Sequence, residues 1–190
     1  MTEQQDSRAA DEFELEFITD QSSPAAQTFL RLGPAHMAET AGDEEIDVPK
    51  FLQSCLRRLG EPNRWMALFV VGGEPAGFTY FKVDRDDRPG WGYVMEFYVV
   101  PAYRRHKVGT KGWLRTKGIL EAAGCTDIWL SSHPLAEGFW KSCGLLETGQ
   151  MQRDQKILAI SVHPAASHND NSQPTTSPPD DRRDKWQDSI

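Results

Sequence analysis

The 190-residue sequence is short of positive charge, of cysteine and of long apolar runs. Its 28 Asp and Glu outnumber 21 Lys and Arg, giving a formal net charge of −7. Nucleic acids and anionic membranes are polyanions, so neither is an expected partner. The three cysteines, Cys55, Cys125 and Cys143, are odd in number and match no metal-ligand spacing. We read them as small hydrophobes in a reduced, cytoplasmic protein without a bound metal. No stretch approaches the roughly 20 apolar residues of a membrane span. Met1–Asp11 holds no apolar run, so no secretory signal is expected there. Neither the phosphate loop of nucleotide triphosphatases nor a G-x-G-x-x-G dinucleotide fingerprint is present. No internal repeat is visible.

What remains is the pattern of one ordinary domain, long enough to bury a core without staples. All nine phenylalanines and five of the six tryptophans lie between residues 13 and 145, and only Trp186 falls outside that block. From residue 163 onward Pro, Ser, Asn and Asp dominate, and such a segment cannot offset its ordering entropy by burial. The expected organisation is a tail over 1–12, a domain over 13–162 and a second tail over 163–190, both tails disordered.

Within the domain, Phe13–Ile18 alternates apolar and acidic residues as a half-buried strand does. Ser23-Pro24 starts a helix expected to end near Leu32, because Gly33-Pro34 follows. Residues 33–47 read as a loop or short irregular helix. Phe51, Leu52, Cys55, Leu56 and Leu59 share one face of a second helix ended by Gly60. Trp65–Val71 and Ala76–Val83 flank Gly72-Gly73, a hairpin signal. A charged turn over 84–90 leads to a strand over Tyr93–Val100, stopped by Pro101. A helix over Val108–Ala123, a strand from Asp127, a short helix over Pro134–Cys143 and a closing hairpin (145–147 with 156–162) complete a mixed α/β domain with one central sheet.

Phe97–Thr110 carries most of the chemistry. A buried strand ends at a proline, a basic loop follows, and Gly109 opens a helix. Helix starts expose unpaired N–H groups and a partial positive charge, which suits an anion. Residues 104–117 hold six Lys or Arg and no acid, against the sign of the whole chain. A pyrophosphate fits this chemistry, although spacing alone does not name the anion. The alternative is a solvated basic loop, or a nucleic-acid patch.

Val99-x-Pro101-x-Tyr103-Arg104-Arg105-x-x-Val108-Gly109-Thr110 resembles motif A of the GCN5-related N-acetyltransferases. Ala136-x-x-Phe139-Trp140-x-x-x-Gly144-Leu145 resembles a second motif of that family, in the right order and separated by one helix and one strand. The resemblance covers residues 13–162. It implies an α+β fold with a mixed, mostly antiparallel sheet, splayed at the strand over 91–100 and flanked by helices. It implies acetyl-CoA or another acyl-CoA as co-substrate and an amine of a small molecule or peptide as acceptor, in a monomer or homodimer. The backbone of Tyr98, Val99 and Val100 would hold the pantetheine arm, and the Val99 amide the thioester oxygen. Arg104, Arg105, His106, Lys107, Val108, Gly109 and Thr110 would hold the pyrophosphate. Phe139 and Trp140 would flank the thioester.

Two positions depart from the family pattern. Lys107 stands where glycine is usual. Trp140 stands where many members carry a tyrosine acid, a role indole cannot fill. The carboxylate expected to take the amine's proton is Glu96, an acid between Met95 and Phe97 in an otherwise apolar strand. Ser131, Ser132 and His133 follow the next strand and are within expected reach of the cleft. Asp43, Glu44, Glu45, Asp84, Asp86 and Asp87 either draw in a cationic acceptor or form a solvated surface. The alternative function is a non-catalytic acyl-CoA-binding regulatory module.

Overall fold

A computed structural model describes residues 12–40 and 46–162. Of the expected tails only Glu12 lies within this range, its carbonyl accepting the Gly72 amide at 3.1 Å; the rest of both tails and the acids Asp43, Glu44 and Glu45 lie outside it. Among the described residues there are seven strands and four α-helices. Strand β1 (Phe13–Phe17) leads to helices α1 (Pro24–Thr40) and α2 (Val48–Arg57). Strands β2 (Arg64–Val71), β3 (Glu74–Val83) and β4 (Gly92–Val99) follow. Then come α3 (Val108–Ala122), β5 (Asp127–Ser132), α4 (Glu137–Ser142), β6 (Leu146–Gln152) and β7 (Gln155–Ser161).

The local signals have local causes. The Ser23 hydroxyl accepts the Ala26 amide at 3.1 Å, capping α1 with Pro24 at its first position. Gly72 and Gly73 both have positive φ, 57° and 83°, as a two-residue hairpin turn requires, and Val71 pairs directly with Glu74.

The seven strands form one sheet in the order β1-β2-β3-β4-β5-β7-β6, antiparallel except where β4 meets β5. Alternation along β3 divides the core between two faces. Phe78 and Tyr80 pack with Phe29 of α1 and Leu52 and Leu56 of α2. Phe81 packs on the other face with Trp113 of α3 and Trp140 of α4.

Helix α1 does not stop at Leu32. It runs through Gly33-Pro34 to Thr40, with Ala26, Phe29, Gly33, His36 and Met37 buried along one stripe. Proline costs the helix one rung, but packing outweighs that local preference. Gly33 is the contact point: a Cβ there would lie 2.5 Å from Leu52 of α2. The extra two turns carry His36 and Glu39 over the sheet.

Strand β4 holds two irregularities that shape everything downstream. Phe81 pairs with Val94 but Tyr80 with Glu96, so Met95 is an extra residue, a bulge. The bulge shifts the alternation, which puts Val94 and Phe97 on the α3 face and Glu96 and Tyr98 on the α1 face. The parallel pairing of β4 with β5 is confined to Gly92↔Ile128 and Tyr93↔Trp129. Beyond it β4 stays with β3 while β5 continues with β7, and the two strands part.

The turn over 84–90 is built around Asp84, which is fully buried. Burial alone would push its carboxyl up. The Lys82 ammonium at 3.0 Å and the amides of Arg88 (2.9 Å) and Asp86 (3.2 Å) together hold it below its ordinary 3.8. A depressed folded-state value adds stability above the ordinary value and loses it as pH falls through the folded one. The stability gap between the native protein and Asp84→Asn should therefore shrink below about pH 4, read as urea midpoints against pH.

Candidate active site

Where β4 and β5 part, a cavity of about 530 Å³ opens, within the size range of small-molecule sites. Its lining comes from four places. Strand β4 contributes Phe97, Tyr98 and Val99; the following loop and the start of α3 contribute Arg104, Arg105, Lys107, Gly109 and Thr110. The last turns of α1 contribute His36, Glu39 and Thr40; the segment after β5 contributes His133, Leu135, Ala136, Phe139 and Trp140.

One end of the cavity is cationic. The first bond in α3 is Lys111 N–H to the Lys107 carbonyl at 2.9 Å, so the amides of Val108, Gly109 and Thr110 have no carbonyl to meet within the helix. Arg105 and Lys107 precede them with left-handed φ of 66° and 61°. This accounts for a glycine being usual at position 107, since glycine adopts that conformation without strain. Lys107→Gly and Lys107→Ala remove the same charge, yet the glycine variant should be the more stable by about 1 kcal/mol. Coincident denaturant midpoints for the two would refute a left-handed residue 107. At Gly109 the reason for glycine is space rather than φ. A Cβ there would lie 3.2 Å from the Phe139 ring and 3.6 Å from Val99.

The other end is apolar. Trp140 is closed in by Phe97 at 5.0 Å, Phe139 at 4.8 Å and Trp113 at 5.6 Å between ring centroids. It forms a wall rather than offering a proton. His133 caps a short 3₁₀ turn, its Nδ1 accepting the Leu135 amide at 3.3 Å. The Ser131 hydroxyl donates to Gln152, and Ser132 is buried with its hydroxyl directed at the His133 carbonyl.

The remaining site candidates divide. Arg104 lines the cavity, but its guanidinium is already engaged. Nε donates to the Val99 carbonyl at 2.9 Å, and Nη2 to both Glu39 oxygens at 2.9 and 2.6 Å. It clamps the end of β4 to α1. Val100 directs its amide to the Ala76 carbonyl of β3 at 2.9 Å, away from the cavity. Val108 is buried with Phe69 and Ala76, and His106 is exposed. Among the acids expected to attract an acceptor, Asp84 is buried in its own turn and Asp86 pairs with Lys82 at 3.1 Å.

Glu96 is not itself in the lining. Its Oε2 lies 2.6 Å from Nε2 of His36, which is. The imidazole is 6% exposed and set between the rings of Phe78 (5.4 Å) and Tyr98 (5.3 Å). Two neighbours register this corner. The Cys55 thiol is pushed up to about 12 by burial and, next, by the Glu96 charge. The Tyr93 phenol is pushed up to about 12 by the same two causes in the same order. All three cysteines are unpaired. Among the described residues no group of three or more His, Cys, Asp or Glu is placed to hold a metal ion, and no helix is long and apolar enough to cross a membrane.

Sequence reasoning misses His36 and Glu39, because Gly33-Pro34 reads locally as the end of their helix. The signal is there: Phe29, Gly33, His36 and Met37 continue the 3.6-residue repeat across the proline.

No curated protein matches the chain. Solved structures do match its fold. An acetyltransferase from Thermus thermophilus is 17% identical with a TM-score of 0.62, over 80% of this chain and 99% of that one. The PaiA N-acetyltransferase from Thermoplasma acidophilum, solved in complex with coenzyme A, is 14% identical with a TM-score of 0.63 over 80% and 99%. GCN5 from Tetrahymena is 10% identical with a TM-score of 0.62 over 80% and 98%. The family model for the GNAT acetyltransferases matches residues 19–145, two thirds of the sequence and the whole of the parted-strand site, and the chain belongs to that family.

Proposed function

We propose that this protein transfers an acyl group, acetyl first among them, from acyl-CoA directly to a primary amine of a small molecule or peptide. The observation that carries this reading is the parting of β4 from β5 beside the free amide end of α3, flanked by Arg105 and Lys107. An extended thioester with a diphosphate at one end matches a cleft that is apolar at one end and cationic at the other.

In this reading Arg105, Lys107, Gly109 and Thr110 hold the diphosphate, with His106 and Val108 contributing backbone. Arg104 fixes the wall by tying Val99 to Glu39. Tyr98 and Val99 form the strand end against which the pantetheine arm lies, and Val100 anchors that end to β3. Phe139 and Trp140 exclude water from the thioester, and exclusion of water strengthens any hydrogen bond to its oxygen. Glu96 supplies the carboxylate on which proton removal from the amine depends. The domain is residues 13–162, acting in the cytoplasm as a monomer or homodimer.

An acetyl-CoA titration followed by thermal unfolding tests the donor, because a ligand bound only by the folded state raises its unfolding temperature. Thiol release with a mixture of polyamine, amino sugar and lysine-containing peptide tests transfer. Absence of a thermal shift at millimolar acetyl-CoA refutes the proposal. A shift without thiol release leaves an acyl-CoA-binding module in its place.

A further inference from the structure

Glu96 is the acid that the strand pattern singles out, yet the fold keeps it one residue away from the cleft. Its carboxylate is 20% exposed, is not in the cavity lining, and meets Nε2 of His36 at 2.6 Å. His36 does line the cavity, facing the same space as Val99 and Phe139. We propose that His36 is the proton acceptor of the transfer reaction and that Glu96 is a positioning residue acting through it. The inference rests on the acyl-transfer reading above and adds the group that moves the proton.

The geometry gives each partner its part. A hydrogen bond from Nε2–H to a carboxylate fixes the tautomer and leaves the lone pair on Nδ1. The same carboxylate stabilises the imidazolium once a proton arrives, as the orienting acid of a nucleophile–base pair does. The other polar groups at this corner do not compete for Nε2. Glu39, on the same helix, is held by Arg104 of the loop across the cavity at 2.6 Å. Burial raises the Tyr98 phenol and is the first cause of the raised Cys55 thiol, so β4 and α2 present neutral groups there. Edge contact with Phe78 and the tilted Tyr98 ring fix the imidazole plane.

The step balances without any further reactant. The amine nitrogen forms the C–N bond to the thioester carbon as the C–S bond breaks. The surplus proton on nitrogen passes to Nδ1 of His36. The departing sulfur takes a proton from water, and His36 returns its own to the solvent.

Two measurements test this, one independent of any acceptor. In ¹⁵N NMR of the ligand-free wild-type protein, the neutral form of His36 should carry its proton on Nε2 and leave Nδ1 bare. The opposite tautomer overturns the proposal. In thiol release with the polyamine, amino sugar and lysine-peptide mixture, His36→Ala should lower kcat about 100-fold, the ordinary scale of general-base catalysis. The KM for acetyl-CoA should stay within about twofold, because the loss falls on the proton step and not on uniform donor binding. Added imidazole should restore at least about tenfold of the lost rate, a recovery that a merely structural role would not give. Glu96→Gln, whose amide can donate to Nε2 and favour the other tautomer, should lower kcat by as much as about 10⁴-fold. A His36→Ala loss that imidazole does not rescue returns the base to Glu96 and overturns the proposal. If acetyl-CoA neither binds to nor is consumed by the wild-type protein, the acyl-transfer reading fails instead, and the tautomer measurement still stands.

Discussion

In Gly109→Glu, millimolar acetyl-CoA should no longer raise the unfolding temperature, while the variant itself remains folded. Gly109 sits in the first turn of α3, its absent side chain leaving room for the Phe139 ring at 3.2 Å and Val99 at 3.6 Å. A glutamate there fills the join between the apolar and cationic ends of the cleft. It also sets a negative charge among the amides that would receive a diphosphate. The same charge is favourable for the helix, because a carboxylate near the N-terminus complements the helix dipole by about 0.3–1 kcal/mol. Binding and stability should therefore move apart: affinity falls by more than about 100-fold, a loss of some 3 kcal/mol, while the ligand-free unfolding temperature changes little. Gly109→Ala presses on the ring by only a methyl group and should retain a measurable shift. A Gly109→Glu protein that still responds fully to acetyl-CoA would show the diphosphate site to lie elsewhere.

Gly77→Ala should be the most damaging small substitution in the sheet. A Cβ on Gly77 would lie 2.1 Å from the Tyr98 carbonyl oxygen and 2.9 Å from the Phe69 ring. The first of these is backbone, and Gly77 pairs directly with Val99 at the end of β4, so neither partner can swing aside. We expect a loss of roughly 3 kcal/mol, the upper part of the range for overpacked interiors. For a domain of this size that lowers the unfolding temperature by about 6–12 °C. Because the displaced strand is the wall of the cleft, acetyl-CoA affinity should fall with it. Gly118→Ala is the control: it lies in α3 with nothing within 4 Å of the added carbon. Alanine is the better helix former by about 1 kcal/mol, so this variant should be the more stable. Equal effects from the two would sink the steric account.

Much of the fold was readable because its signals are local. Gly72-Gly73 could close a hairpin by itself, since both residues need positive φ and little else. Ser23-Pro24 could start a helix for the same kind of reason. The end of α1 was not readable that way. Gly33-Pro34 is a stop signal in an isolated segment, but here Gly33 is the notch into which Leu52 packs, and burial across the proline continues the helix. A contact between residues 33 and 52 has no local signature, so propensity gave the wrong boundary.

The site divides along the same line. The loop and helix start, with Arg105, Lys107, Gly109 and Thr110, stood out as a basic run opening on a glycine, and the structure brings these four to one cavity with Phe139 and Trp140. The isolated acid Glu96 was also visible, as a charge in an apolar strand. Its partner was not, for two physical reasons. His36 lies 60 positions away in a helix whose extent packing decides. And Glu96 faces that helix only because the bulge at Met95 reverses the alternation of β4, an event that strand periodicity does not announce. The sequence by itself determined the elements, the basic helix start and the acid, because each depends on neighbours within a few residues. Tertiary structure alone decided that β4 and β5 part after two pairs, that Arg104 turns to Glu39, and that Glu96 reaches the cleft through His36. Each of these is a contact between distant segments, fixed by which faces the packed sheet leaves open.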